Sequence, residues 1–208
     1  HSMGGNFAIN YTLRRNEFDA CVMPKLSGVV LVAPMMMPPD FLDRSRIFAA
    51  WGTGQLFRWI RISKPARVEQ LTRDESNREK IQADPLQHSH ISLYLATQLL
   101  AQGRFALDRA KDIDTSTLIL HGDEDELIDH AACRNLALRM RERADFVRWP
   151  GGRHDLVNDT DAEALADHLD HWMSQTTDQP RPMLQLAKPM PMTPHPSPEA
   201  AVAGLAKR

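Results

Sequence analysis

Three short stretches carry the residue types with which this chain could do chemistry. His1-Ser2-Met3-Gly4-Gly5 opens it, HGDEDELID starts at His121, and PGGRHDLVND starts at Pro150. Attack by a serine on an acyl carbonyl needs a base to take the hydroxyl proton and an acid to orient that base. Ser2, an acid among Asp123, Glu124, Asp125, Glu126 and Asp129, and His154 supply those types in that order. The first stretch reads as the second half of a G-x-S-x-G turn, which holds a serine at a strained strand-to-helix corner. Gly4 is expected to let the new helix close on the sheet, and Gly5 to widen that clearance. The backbone N–H of Met3, in the first helical turn, is the expected donor to a developing oxyanion. The first glycine of the pattern falls before residue 1. A bare S-x-G says little alone, and its weight comes from the two later stretches. Spacing by itself does not choose among the five acids.

The elements that must position these residues follow from periodicity. Residues 3–15 read as a helix with Phe7, Ala8 and Tyr11 on its apolar side, broadened by Ile9 and Leu13. Residues 26–33 (LSGVVLVA) and 117–120 (TLIL) are short apolar runs of the kind that form strands buried on both faces of a parallel sheet. Residues 145–149 (DFVRW) read as a third strand. Amphipathic helices are expected over residues 130–143 and 161–173, and over 91–100 with Gly103 closing the last. Strand–helix alternation of this kind gives an α/β fold with a parallel sheet flanked by helices. The acidic cluster and His154 each follow such a strand, so both project from its carboxyl edge, where open α/β sheets place their sites.

The stretch from about residue 35 to 105 is far longer than an ordinary connection and reads as a small helical insertion. It holds Met35, Met36 and Met37, Phe41, Phe48, Trp51, Phe57 and Trp59. From residue 178 the composition changes: seven of the chain's 14 prolines lie there with no aromatic residue, a segment too poor in apolar surface to fold. The expected organisation is therefore residues 1–34 as core, 35–105 as insertion, 106–177 as core again and 178–208 as a disordered tail.

Composition narrows the function classes. A formal net charge of −2 leaves no basic surplus for nucleic acid. No apolar run approaches the roughly 20 residues a membrane span needs. Cys21 and Cys133 form no motif and are expected as buried free thiols in a reducing compartment. His88 and His90 lack a third ligand nearby, Gly52-x-Gly54 is too short for a dinucleotide fingerprint, and the acidic run lacks the glycine and closing glutamate of a calcium loop. His121 is expected to pack or hydrogen-bond near the site rather than to act as a second base.

Taken together, HSMGG, LILHGDED and GGRHDLVND resemble the monoacylglycerol lipase and lysophospholipase branch of the α/β-hydrolases, whose chain order is also serine, acid, histidine. The insertion segment LTRDESNREKIQADPLQHSHISL, with Asp84-Pro85-Leu86, is similar to that branch's lid. The resemblance covers residues 1 to about 174. It implies that the acid is Asp125, three residues after the glycine of H-G-x-x-D, and that the insertion is a helical lid. It implies a serine hydrolase cleaving the fatty-acyl ester of a monoacylglycerol or lysophospholipid through an acyl-enzyme, with no metal or organic cofactor. Met35, Met36, Phe57 and Trp59 are the expected lining for the acyl chain, since methionine adapts to flexible chains.

The family's strands before the elbow, and the loop giving a second oxyanion donor, have no counterpart here. The chain is accordingly expected to be the C-terminal part of the fold, a fragment of a longer protein that is unstable or aggregation-prone alone. The expected location is cytoplasmic, with possible transient contact between the lid and a membrane surface. Two other readings stay open: a broad carboxylesterase or peptidase on the same scaffold, and a non-catalytic protein that binds lipid or a partner.

Overall fold

A strand covered on both faces has no polar side to show, and residues 117–122 are such a strand. The computed structural model describes residues 1–17, 26–36, 52–63 and 65–176. Its elements run α1 (Ser2–Arg14), β1 (Val29–Val32), β2 (Arg61–Ser63), α2 (Val68–Leu71), α3 (Glu75–Ala83), β3 (His90–Ser92), α4 (Leu93–Asp108), β4 (Thr117–Gly122), α5 (His130–Met140), β5 (Ala144–Trp149) and α6 (Ala162–Gln175). Residues 52–56 are helical as well. All six residues of β4 are buried. It lies between β1 and β5 in a parallel sheet of order β1–β4–β5. The register sets Val29 opposite Thr117 and Thr117 opposite Ala144.

Side chains alternate across a strand, so each sheet face gathers its own core. On one face Leu31 and Ile119 pack with Ile9 of α1, Ala106 and Leu107 of α4, and Cys133, Leu136 and Ala137 of α5. On the other, Leu118, Leu120 and Val147 pack with Leu156 and with Leu165 and Trp172 of α6. This helix–sheet–helix layering is the α/β architecture the sequence implies. Cys133 is a buried free thiol whose S–H reaches the Pro34 carbonyl at 3.3 Å. Burial and the neighbouring Asp125 and Asp129 push its pKa up.

Four expectations about elements change. The buried side of α1 holds Gly5, Asn6, Ile9, Asn10 and Thr12. Phe7 and Tyr11 lie outside it, 49% and 36% exposed. Asn6 and Asn10 tolerate burial because their amides donate to the carbonyls of Met35, Leu99 and Gln102. The expected helix over 91–100 starts later and runs further. Ile91 belongs to β3, the Ser92 hydroxyl caps α4 by accepting from Leu95 N–H at 3.1 Å, and Gly103 is buried mid-helix rather than closing it. The helix after β4 ends at Met140, and a turn with Arg141 at φ 56° follows. Finally, the insertion is not wholly helical: β2 and β3 pair antiparallel, Arg61 opposite Ser92 and Ser63 opposite His90. Cys21, Met37, Phe41, Phe48, Trp51 and the tail expected over 178–208 lie outside the described residues.

Candidate active site

Ser2 begins α1 with φ 50°, a left-handed conformation that residues with a Cβ seldom adopt. The corner is held from three sides. The Ser2 carbonyl accepts from Met35 N–H at 2.9 Å, and Asn6 Nδ2 donates to the Met35 carbonyl at 2.9 Å. A Cβ on Gly5 would lie 2.7 Å from Pro34 Cβ and 2.9 Å from Pro34 Cα. Gly5 is therefore the close-approach glycine. A Cβ on Gly4 would meet nothing within 4 Å among the described residues, so the close approach expected at Gly4 falls on Gly5 instead. Met3 follows Ser2 in the first turn, where an α-helix has no internal acceptor for its N–H groups.

Asp125 sits in the turn after β4. Its Oδ1 accepts from the backbone N–H of Leu127 at 2.8 Å and of Ile128 at 3.1 Å. Its Oδ2 accepts from His154 Nδ1 at 2.8 Å and lies 3.1 Å from His121 Nε2. Burial alone pushes this carboxyl's pKa up. The hydrogen bonds from His121 and His154, the field of His154 and the Ile128 N–H outweigh it and hold the group well below the usual carboxylate range.

His154 is 4% exposed and follows β5. The Asp125 carboxylate can only accept, so the proton on His154 is on Nδ1. In the neutral ring Nε2 then holds the lone pair, and it stands 2.9 Å from Ser2 Oγ. One imidazole bridges the hydroxyl and the carboxylate. The structure thus brings Ser2, Asp125 and His154 together from residues 29 and 152 positions apart. The strand ends that carry them meet closely: a Cβ on Gly122 would fall 2.2 Å from the Gly152 carbonyl oxygen and 2.5 Å from that of Arg153.

Two histidines around the bridge add support, and the contact of His1 was not anticipated. His1 Nε2 donates to the His154 carbonyl at 3.0 Å, and the two rings lie 4.9 Å apart. His121 is fully buried, and its Nε2 faces two acceptors, Asp125 Oδ2 and the Ile128 carbonyl at 3.0 Å. That nitrogen must carry the proton, so His121 braces the acid, in keeping with its expected hydrogen-bonding place. The signal for both was their adjacency to the candidate residues, in H-S-M and in H-G-D-E-D.

The expected acyl-chain lining does not gather in the same way. Met36 is 2% exposed and belongs to the core with Ile9 and Leu31, so its side chain fills the sheet face instead of an open channel. Met35 is partly buried beside Ser2. Phe57 and Trp59 stack edge-to-face at 6.0 Å and are 42% and 75% exposed.

A family model, Hydrolase_4, described as serine aminopeptidase, S33, matches residues 1–161. The chain belongs to that family. A monoacylglycerol lipase of Mycolicibacterium smegmatis is 25% identical over 175 residues, which are 83% of this chain and 60% of that protein. A putative monoglyceride lipase of Schizosaccharomyces pombe is 27% identical over 166 residues, 75% of this chain and 41% of that one. The chain therefore spans 41–60% of the length of these two relatives. The crystal structure of Paleococcus ferrophilus monoacylglycerol lipase superposes with a TM-score of 0.72 at 21% identity, covering 85% of this chain and 67% of that one. The fold is that of the α/β-hydrolases, and the chain carries a parallel sheet with flanking helices. Among the described residues no helix is long and apolar enough to cross a membrane.

Proposed function

We propose that this chain carries the nucleophile, base and acid of a serine hydrolase that cleaves the acyl ester of a single-chain lipid. The observation that carries the reading is the hydrogen-bonded line Ser2 Oγ–His154 Nε2, 2.9 Å, and His154 Nδ1–Asp125 Oδ2, 2.8 Å. In the reaction Ser2 attacks the ester carbonyl while His154 takes its proton. Asp125 holds the imidazole and stabilises its charged form. The carbonyl oxygen becomes an oxyanion that Met3 N–H binds. The tetrahedral intermediate collapses, His154 gives its proton to the departing alcohol, and the acyl group stays on Ser2. Water, deprotonated by His154, then releases the fatty acid and restores the serine. Every proton in this cycle is handled by side chains of the chain itself.

The lipid substrate is supported by the lipases among the relatives and by the apolar insertion. We assign residues 35–105 to a lid over the site, with Met35 beside the nucleophile and Phe57 and Trp59 at the entrance. Leu56, Phe57, Trp59 and Ile60 are 39–75% exposed, beside Arg58 and Arg61, and suit transient contact with an anionic membrane surface.

The test is fluorophosphonate labelling of the intact protein with the modified peptide mapped, beside hydrolysis of monoacylglycerol, lysophosphatidylcholine and an amino-acid amide. Label on Ser2, with preference for a lipid ester and loss of both in Ser2→Ala, supports the reading. A preference for the amide would favour an aminopeptidase, the second reading, which the family's description supports. Acyl-ligand binding by well-folded protein with no label and no turnover would make it a binding protein.

A further inference from the structure

We infer that Arg73 and Asp159 are positioning residues that hang the backbone of His154 on the insertion, so that the base is placed only when residues 69–73 are docked; this rests on the hydrolase reading. Asp159 is a carboxylate buried to 3% exposure, with no role in the line from Ser2 to Asp125. Its two oxygens divide between the insertion and the histidine loop. Oδ2 accepts from Arg73 Nε at 3.0 Å and from the backbone N–H of Arg153, the residue before His154, at 3.1 Å. Oδ1 accepts from Arg73 N–H at 2.7 Å and Thr160 N–H at 3.0 Å, and lies 3.3 Å from the Thr72 hydroxyl. Arg73 Nη2 reaches on to Asp161 at 2.6 Å.

The same stretch of insertion runs along the loop itself. Gln70 and Leu71 carbonyls accept from the N–H groups of His154 at 3.4 Å and Asp155 at 2.8 Å. The Arg153 guanidinium donates to the Glu69 carbonyl. The Thr72 hydroxyl donates to the Asn158 carbonyl at 2.7 Å. Three consecutive backbone N–H groups, 153 to 155, thus find their acceptors on the insertion or on Asp159, a carboxylate that also binds Arg73 of the insertion. Gln70 also reaches the acid's loop, donating to Glu126 at 2.9 Å. A loop without its own regular hydrogen bonds takes its shape from such partners. A ring displaced by about 1 Å loses roughly 100-fold in rate. The arrangement makes the imidazole's place depend on the insertion, which a hinge elsewhere in the lid would not do.

The experiment uses the intact protein with Arg73→Ala and Arg73→Lys. Three quantities are read: the labelling rate of Ser2 by a small alkyl fluorophosphonate, kcat and KM on a short soluble ester, and the folded fraction by circular dichroism. Removing the fork should lower the labelling rate and kcat together by about tenfold or more, with KM within about twofold. Lysine, which keeps the charge and loses the two-pronged geometry, should recover part of the rate. A labelling rate equal to wild type in the alanine variant overturns the inference. So does a rate that falls only in proportion to the folded fraction, since that is a structural role. Should the alanine variant not fold, the lysine variant decides by the same criteria. A wild-type protein unlabelled at Ser2 would instead sink the hydrolase reading, and this inference with it.

Discussion

At the scale of single residues, the site is defined by what each side chain can and cannot donate. Ser2 is held at φ 50°, a conformation costing about 1–3 kcal/mol for a residue with a Cβ. That strain survives because the Met35 N–H, the Asn6 amide and the Pro34 contact fix the corner around it. Asp125 has its acceptor sites filled by two histidines and two backbone N–H groups. Its pKa in the folded chain is therefore below the unfolded value of about 3.9. A group depressed in this way contributes stability that is present above about pH 4 and is lost as pH falls through its folded pKa. The urea midpoint of the intact protein should fall between about pH 5 and pH 3, and Asp125→Asn should shrink that fall. Asp159 is depressed too and acts in the same direction, so the difference between variant and wild type isolates Asp125. An acid limb unchanged in the variant would contradict the bonding described. The same substitution should lower kcat by about 10,000-fold in pH 8 buffer, where the loss is catalytic.

At the scale of elements, close backbone approach is what brings the strand ends together. A Cβ on residue 122 would drive into the carbonyl oxygens of Gly152 and Arg153, both backbone, so neither can rotate away. Gly122→Ala should destabilise the protein by about 1–3 kcal/mol and slow Ser2 labelling more than tenfold, because it displaces the loop before His154. A thermal melt and a labelling time course read the two effects, and a normal labelling rate would show that the loop absorbs the methyl group without moving the ring. Much of this frame was legible. The run TLIL is apolar because its strand is covered on both faces, DFVRW shows its strand through buried Phe146, Val147 and Trp149, and the acidic cluster and His154 come just after these strands. The face of α1 was not legible, since hydrophobic periodicity favours Phe7 and Tyr11 and does not register Asn6 and Asn10, whose burial depends on carbonyls far away in sequence. The β2–β3 pair escaped because strands of three residues, with no buried residue in Arg61–Ser63, give no period to read. Asp159 escaped because its partner Arg73 lies 86 residues away.

At the scale of the whole molecule, the chain is a sheet carrying the candidate site and an insertion that meets it at the histidine loop. Among its described residues, the stretch 56–62 exposes several large apolar side chains. Leu56 is 70% exposed, Trp59 75% and Ile62 39%, and Arg58 and Arg61 are interleaved with them. Such side chains gain about 1.5–3 kcal/mol each on full transfer to an apolar phase, while the arginines add attraction to anionic headgroups. An enzyme acting on single-chain lipids gains from this only when substrate is presented in a membrane or micelle. The double variant Leu56→Ser/Ile62→Ser should therefore weaken co-sedimentation with anionic phospholipid vesicles by about tenfold or more. It should raise the apparent KM for vesicle-borne monoacylglycerol by a similar factor and leave hydrolysis of a short soluble ester within about twofold of wild type. Salt should weaken the wild-type association through the arginines, whereas the apolar part should persist at about 1 M salt, where the screening length is about 3 Å. Equal vesicle binding by variant and wild type would rule out this surface as the contact. Loss of soluble-ester hydrolysis in step with vesicle binding would mean instead that Leu56 and Ile62 hold the lid in place over Ser2.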